Sequence, residues 1–170
     1  GENLGDLKKV DRKSPTLGAK PPAGAIILFD GSSADQFEDG KLTEDKLLAA
    51  TGQVSKHKFQ DHTLHLEFRT PYMPKSRGQG RGNSGVFLMG RYELQILDSW
   101  KNDTYSDGQA GSMYGQHPPL YNAALAPGGW QRYDVFFRRP RFGAAGELTE
   151  PARVTVPLAT ATTGDPVGAT

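Results

Sequence analysis

The residues best suited to chemistry lie in the stretch 82–98, which reads GNSGVFLMGRYELQILD. Here Arg91, Glu93 and Gln95 alternate with Tyr92, Leu94 and Ile96. A strand points successive side chains to opposite faces. One face of 91–97 is therefore apolar enough for a core, and the other offers a cation, a carboxylate and an amide in a row. If a bulge follows Ile96, Asp98 joins that face. Two carboxyl groups then stand near each other, an arrangement suited to moving protons to and from a reacting group. The plain alternative is a solvated sheet face, since antiparallel sheets often keep one polar side.

Other candidates surround this stretch. In HTLHLEFRT (62–70), His65 and Glu67 share a polar face opposite Leu64, Leu66 and Phe68. They join Glu93 if that strand neighbours 91–97. Arg91, or Arg81 from the preceding loop, could hold a developing negative charge. The stretch 99–129 has no apolar period, and a connection of that length in a compact domain is usually functional. It is rich in aromatic and amide side chains, which stack on sugar rings and hydrogen-bond hydroxyls. Tyr114, between the glycines of GSMYGQ, is the preferred sugar contact, with Gln116, Asn122 and Trp100. Core packing is the alternative for the aromatics. Asn83, in Asn83-Ser84-Gly85, is either a turn residue or a substrate contact. The basic loop 75–81 has no strand-to-helix context for a phosphate site, so it is a solvated or glycan-facing loop. His65, Glu67, Glu93 and Asp98 include oxygen and nitrogen donors for a divalent cation. No metal-ligand spacing such as HExxH is present, so a cation stays an open alternative and no other cofactor is expected.

These side chains need a scaffold, and the composition limits what it can be. A chain of 170 residues suggests one domain. Twenty Lys and Arg against 19 Asp and Glu leave a net charge of +1, so no global field points to nucleic acid or an anionic membrane. The 21 Gly and 12 Pro favour turns over long helices. Cysteine is absent, which removes disulfides, thiol nucleophiles and thiolate metal sites. No apolar run approaches the ~20 residues of a membrane helix. Residues 1–24 read as an extended polar arm. AIILF (25–29), followed by Asp30-Gly31, reads as a buried strand. The stretch 44–50 forms a helical turn or a short strand, and 54–59 a weak strand. Residues 62–70, 85–89, 91–97, 130–139 and 152–156 are further strands, with 157–170 an irregular tail. Short alternating strands with turn signals between them predict an antiparallel β-sandwich or jelly roll.

At this point a family resemblance emerges. The segments LFDG (28–31), LHLEFRTP (64–71), GQGRGNSGVFLMGRYELQILDS (78–99), DGQAGSMYGQHPPLYNA (107–123), WQRYDVFFRRPRF (130–142) and PARVTV (151–156) closely resemble the 3-keto-disaccharide hydrolase domain family. They occur in family order from about residue 24 to 156. The resemblance implies a concanavalin A-like jelly roll over 25–156, made of two antiparallel sheets with a carbohydrate site on the concave face. It also implies an exported bacterial protein, periplasmic or extracellular. The family's chemistry starts from a ketone at C3, which acidifies the C2 hydrogen. A base removes that proton, the C1 substituent leaves, and water adds back. The resemblance makes Glu93 the base and places Arg91 or Arg81 at the enolate oxygen. His65 joins the catalytic set, and Asp98 is an acid or a structural partner. Glu67, Arg81, Asn83, Gln95, Trp100, Tyr114, Gln116 and Asn122 then bind the sugar. The spacing Glu-x-Gln-x-x-Asp is also similar to the Glu-x-Asp-x-x-Glu of laminarinase-type glycosidases. After VTV, however, the family's Asn-Gly hairpin is replaced by PLATATTGDPVGAT. A sandwich without its last strand exposes an edge that a second copy could cover. The rival function is a lectin-like module that binds carbohydrate without chemistry, because a fold alone does not give function. A structural interaction domain is a third reading.

Overall fold

The computed structural model describes residues 14–157. They divide into two compact units, one of residues Gly18–Gln60 and the other of residues 14–17 with 61–157. In the smaller unit β1 (Phe37–Glu38) pairs antiparallel with β2 (Val54–Ser55). The run 25–29 is not a buried strand. Ile26 and Ile27 are 54% and 52% exposed, and no ladder pairs with them. An apolar run becomes a strand only when a neighbour takes its backbone hydrogen bonds, and this run has none. Residues 44–50 form a turn, closed by Lys46 N donating to Thr43 O at 3.0 Å, with a bridge between Leu42 and Leu48.

The larger unit carries the site. Its strands are β3 (His62–Phe68), β4 (Asn83–Leu88), β5 (Tyr92–Leu97), β6 (Gln131–Arg138), β7 (Arg141–Phe142), β8 (Leu148–Glu150) and β9 (Arg153–Thr155). β3, β6 and β9 form one antiparallel sheet in that order. β4 and β5 form a hairpin with Asn83 opposite Leu97 and Leu88 opposite Tyr92. Its turn contains Met89 and Gly90, at φ 55° and 64°. With Leu88 opposite Tyr92, the loop is the three residues Met89, Gly90 and Arg91, closed by Arg91 N donating to Leu88 O at 3.1 Å, and one of its two left-handed residues is a glycine, which takes that conformation without strain. The sequence therefore bends where Gly90 predicts.

The two sheets face each other across one core. Leu88, Leu94, Ala123, Tyr133, Val135 and Phe137 are its buried members, and Leu64, Leu66, Val86, Tyr92, Ile96 and Met113 pack against them. The even residues of β5 and the odd residues of β6 thus point inward. Tyr133 is fully buried, and its hydroxyl donates to the Gln95 carbonyl at 2.7 Å, tying one layer to the other. This is an all-β sandwich of antiparallel sheets, as the alternation requires. One hairpin escaped the sequence reading. β7 and β8 lie in a stretch, 140–151, that reads as loop, because Gly143 and Gly146 dominate it. Those glycines make the turn itself, with Gly143 N donating to Glu147 O at 2.9 Å. Residues 158–170 of the expected tail lie outside the described residues. No helix among the described residues is long and apolar enough to cross a membrane.

Candidate active site

With Leu94 and Ile96 turned to the core, Glu93 and Gln95 face outward from β5. β4 lies on one side of them and the segment 111–114 on the other. That segment follows β5 as a strand would. Gly111 N donates to Gln95 O at 3.0 Å, Gln95 N to Ser112 O at 2.9 Å, and Tyr114 N to Glu93 O at 2.9 Å. Met113 bridges Leu94 and shares the core with it, so Ser112 and Tyr114 turn outward. The β4–β5 register places Phe87 opposite Glu93 and Gly85 opposite Gln95. Two rows therefore cross the outer face: Phe87–Glu93–Tyr114 and Gly85–Gln95–Ser112. Adjacent strands are roughly 4.8 Å apart, so the side chains of the first row lie side by side at the surface, while Gln95 and Ser112 of the second are buried.

Glu93 occupies the middle of the first row and leans toward the second. A Cβ on Gly85 would lie 2.7 Å from Glu93 Cγ and 2.8 Å from its Cδ. The carboxyl group thus rests against bare β4 backbone, which only glycine allows. Burial there raises the Glu93 pKa above its ordinary 4.5, since low-dielectric surroundings disfavour the charged form. Gly85→Ala is expected to displace this carboxyl. If Glu93 acts on a substrate, a misplacement of about 1 Å can cost on the order of 10²-fold in rate, so any kcat/KM should fall by about that much while unfolding stays cooperative. An unchanged kcat/KM would show that the seat does not matter.

Aromatic side chains wall the carboxylate on both sides. Phe87 is 60% exposed on one side, and Tyr114 and Tyr105 are 38% and 48% exposed on the other. The Tyr105 and Tyr114 hydroxyls hydrogen-bond to each other, with their rings edge to face at 6.1 Å between centroids. The hydrogen bond to Tyr114, with some burial and the nearby charges of Tyr114, Asp107 and Glu93, pushes the Tyr105 pKa up to about 12. Phe87 was legible in principle. Val86 and Leu88 point inward, so the residue between them must point out.

Gln95 lies beneath this surface. It is buried, and its Nε2 donates to Gln79 Oε1 at 3.0 Å and Asn83 Oδ1 at 3.4 Å. Gln79 in turn donates to Thr104 Oγ1 at 2.8 Å and Gly108 O at 2.9 Å, and Asn83 donates to Gln79 O at 3.0 Å. Gln95 and Asn83 hold the two flanking loops to the sheet. Gln79, which the sequence did not single out, is the centre of that network.

The remaining candidates fall elsewhere. No bulge follows Ile96, since the β4–β5 ladder runs in register to Leu97. Asp98 continues the pairing, its N–H donating to Gly82 O at 2.8 Å. Its carboxylate is fully buried, with Arg81 Nη2 2.6 Å from Oδ2, and Arg81 Nη1 also donates to Trp100 O at 3.1 Å. A buried carboxylate requires such a counter-charge, so Arg81 and Asp98 brace the loops around 81 and 98–100. Arg91 is exposed, at the hairpin turn rather than in the ladder. His65 and Glu67 do not join Glu93, because β3 pairs with β6 and not with β5. They lie on the outer face of the other sheet. There His65 Nδ1 is 2.6 Å from Asp134 Oδ1, and Nε2 is 3.2 Å from Glu67 Oε1. Arg132 forms an ion pair with the same Asp134. Asn122 is consumed in its loop, accepting from Ser99 Oγ at 2.8 Å and donating to Ser99 O at 2.7 Å. Trp100 is half-buried with the Lys101 ammonium 5.6 Å from its ring centre. Gln116 is exposed in the turn after Tyr114. No group of three or more His, Cys, Asp or Glu among the described residues is arranged to hold a metal ion.

A half-buried carboxylate thus stands between exposed aromatics on a β-sandwich, and comparison with known proteins supports a carbohydrate-active function. The chain belongs to the 3-keto-alpha-glucoside-1,2-lyase-like domain family, whose model matches residues 24–158. It is also similar to a crystal structure described as a "putative glycosyl hydrolase" from Parabacteroides distasonis ATCC 8503. The two are 31% identical with a TM-score of 0.77, over 98% of this chain and 77% of that one. A search of curated proteins gives no match.

Proposed function

We propose that this protein cleaves 3-keto-glycosides, with Glu93 as the base that removes the C2 proton. The observation that carries the reading is the seat of Glu93. Its carboxyl lies over Gly85, between Phe87 and Tyr114, with its pKa raised by burial. A general base works best when its pKa approaches the working pH, and burial moves Glu93 that way. Phe87 and Tyr114 offer apolar faces to the sugar ring. The C2 proton passes to Glu93 and its electrons to the C3 oxygen as an enolate. When those electrons return, C3=O re-forms, C1=C2 forms and the C1–O bond breaks. The leaving oxygen takes a proton, giving an alcohol and an unsaturated keto-sugar. Water added across C1=C2 completes a net hydrolysis. From the family resemblance we also propose that the protein is exported, to the periplasm or beyond.

The test compares a 3-keto-glucoside with the same glucoside unoxidised at C3. Turnover of the keto substrate alone is expected. Equal turnover of both would contradict a role for the ketone. Saturable binding of either without turnover would favour the lectin-like module.

A further inference from the structure

We infer that Tyr114, backed by Tyr105, is the acid that protonates the departing C1 oxygen. The inference rests on the function proposed above and adds the proton donor that it lacks. Asp98, the sequence's candidate acid, is buried against Arg81, and His65 lies on the other sheet. Of the side chains in the Glu93 row, Phe87 carries no proton to give and Tyr114 does. The register Phe87–Glu93–Tyr114 sets the Tyr114 side chain beside the base on the same face, and its ring is solvent-accessible.

The second hydroxyl explains why the group fits an acid better than a fixed hydrogen-bond donor. A donor that only steadies the enolate never loses its proton and needs nothing behind it. A donor that gives its proton away must be reloaded. Tyr105 hydrogen-bonds Tyr114 through its hydroxyl and is itself open to solvent. As the C1–O bond breaks, the leaving oxygen takes the Tyr114 proton, and Tyr114 takes the Tyr105 proton. The proton held by Glu93 returns through solvent to the tyrosinate, so the cycle leaves the enzyme unchanged. The raised Tyr105 pKa keeps the Tyr105 proton in place near neutral pH until it is passed on.

The test uses two 3-keto-glucosides, one with an alkyl and one with a 4-nitrophenyl leaving group. The nitrophenolate leaves without help, whereas the alkoxide needs a proton. General acid catalysis contributes about 10²–10⁴-fold. Tyr114→Phe should therefore lose about 10²-fold or more in kcat on the alkyl substrate and less than tenfold on the nitrophenyl one. Tyr105→Phe should show a smaller loss with the same bias. Both changes remove one exposed hydroxyl, so circular dichroism should match the wild type. Equal losses on the two substrates, or none, would overturn the assignment while leaving Glu93 as base. A wild type inactive on both would overturn the proposed function, and this inference with it.

Discussion

Glu93→Gln is expected to lower kcat on a 3-keto-glucoside by about 10²–10⁴-fold, the contribution typical of a positioned base. The amide has nearly the shape of the carboxyl, so it can still rest over Gly85 between Phe87 and Tyr114. What it loses is the ability to take a proton. The pH profile gives a second signature. A base acts when deprotonated, so wild-type activity should rise with pH through the Glu93 pKa. Because burial raises that pKa, the acid limb should lie above the ordinary value of 4.5, and it should vanish in the variant. Stability should move differently. A glutamate whose folded pKa is raised favours the folded state while protonated, and that advantage is lost as pH rises through the folded value. The variant should therefore be no less stable than the wild type at neutral pH. Steady-state kinetics across pH, alongside urea unfolding, measures both. Wild-type activity in the variant would remove Glu93 from the mechanism.

Arg81→Ala is expected to destabilise the fold by about 3–5 kcal/mol, the usual effect of stranding one partner of a buried ion pair. Asp98 is fully buried, and Arg81 supplies its counter-charge. Without Arg81 the carboxylate must stay charged in a low-dielectric site or take up a proton, and either is unfavourable. Replacing both partners by apolar side chains, as in Arg81→Met with Asp98→Leu, should recover much of the loss. Denaturant unfolding of the single and double variants tests this. A loss below about 1 kcal/mol for Arg81→Ala would make the pair no more than an ordinary surface contact. If Arg81 instead holds the enolate, its removal should cut activity with stability intact.

The core of the fold was legible because alternation is a direct consequence of strand geometry. Leu64, Leu66, Phe68, Tyr92, Leu94 and Ile96 read as the apolar faces of their strands, and each lines the core. The hairpin was marked by Gly90. What the sequence could not supply was strand adjacency. His65 and Glu67 show the same half-polar pattern as Glu93 and Gln95, yet pairing with β6 puts them on the other outer face. Periodicity states which way a side chain points within its strand, not which strand lies beside it. Asp98 failed for a related reason, since a bulge is a property of the ladder and leaves no fixed mark in one strand. Gly85 and Phe87 were readable signals left unused. A glycine inside a strand marks a close approach, here the Glu93 carboxyl. Gln79 carried no signal, because an amide in a glycine-rich loop looks like any solvated residue until the loop folds over Gln95.

The most direct test of the account follows the C2 hydrogen. A 3-keto-glucoside deuterated at C2 is turned over by the wild-type enzyme in ordinary water, and the sugar product is weighed by mass spectrometry. Proton abstraction by Glu93 predicts that the product has lost the deuterium, and that Glu93→Gln forms this product far more slowly. A sugar product that keeps its deuterium at C2, made at the wild-type rate, would mean that the glycosidic bond breaks by direct displacement at C1, and would contradict the account.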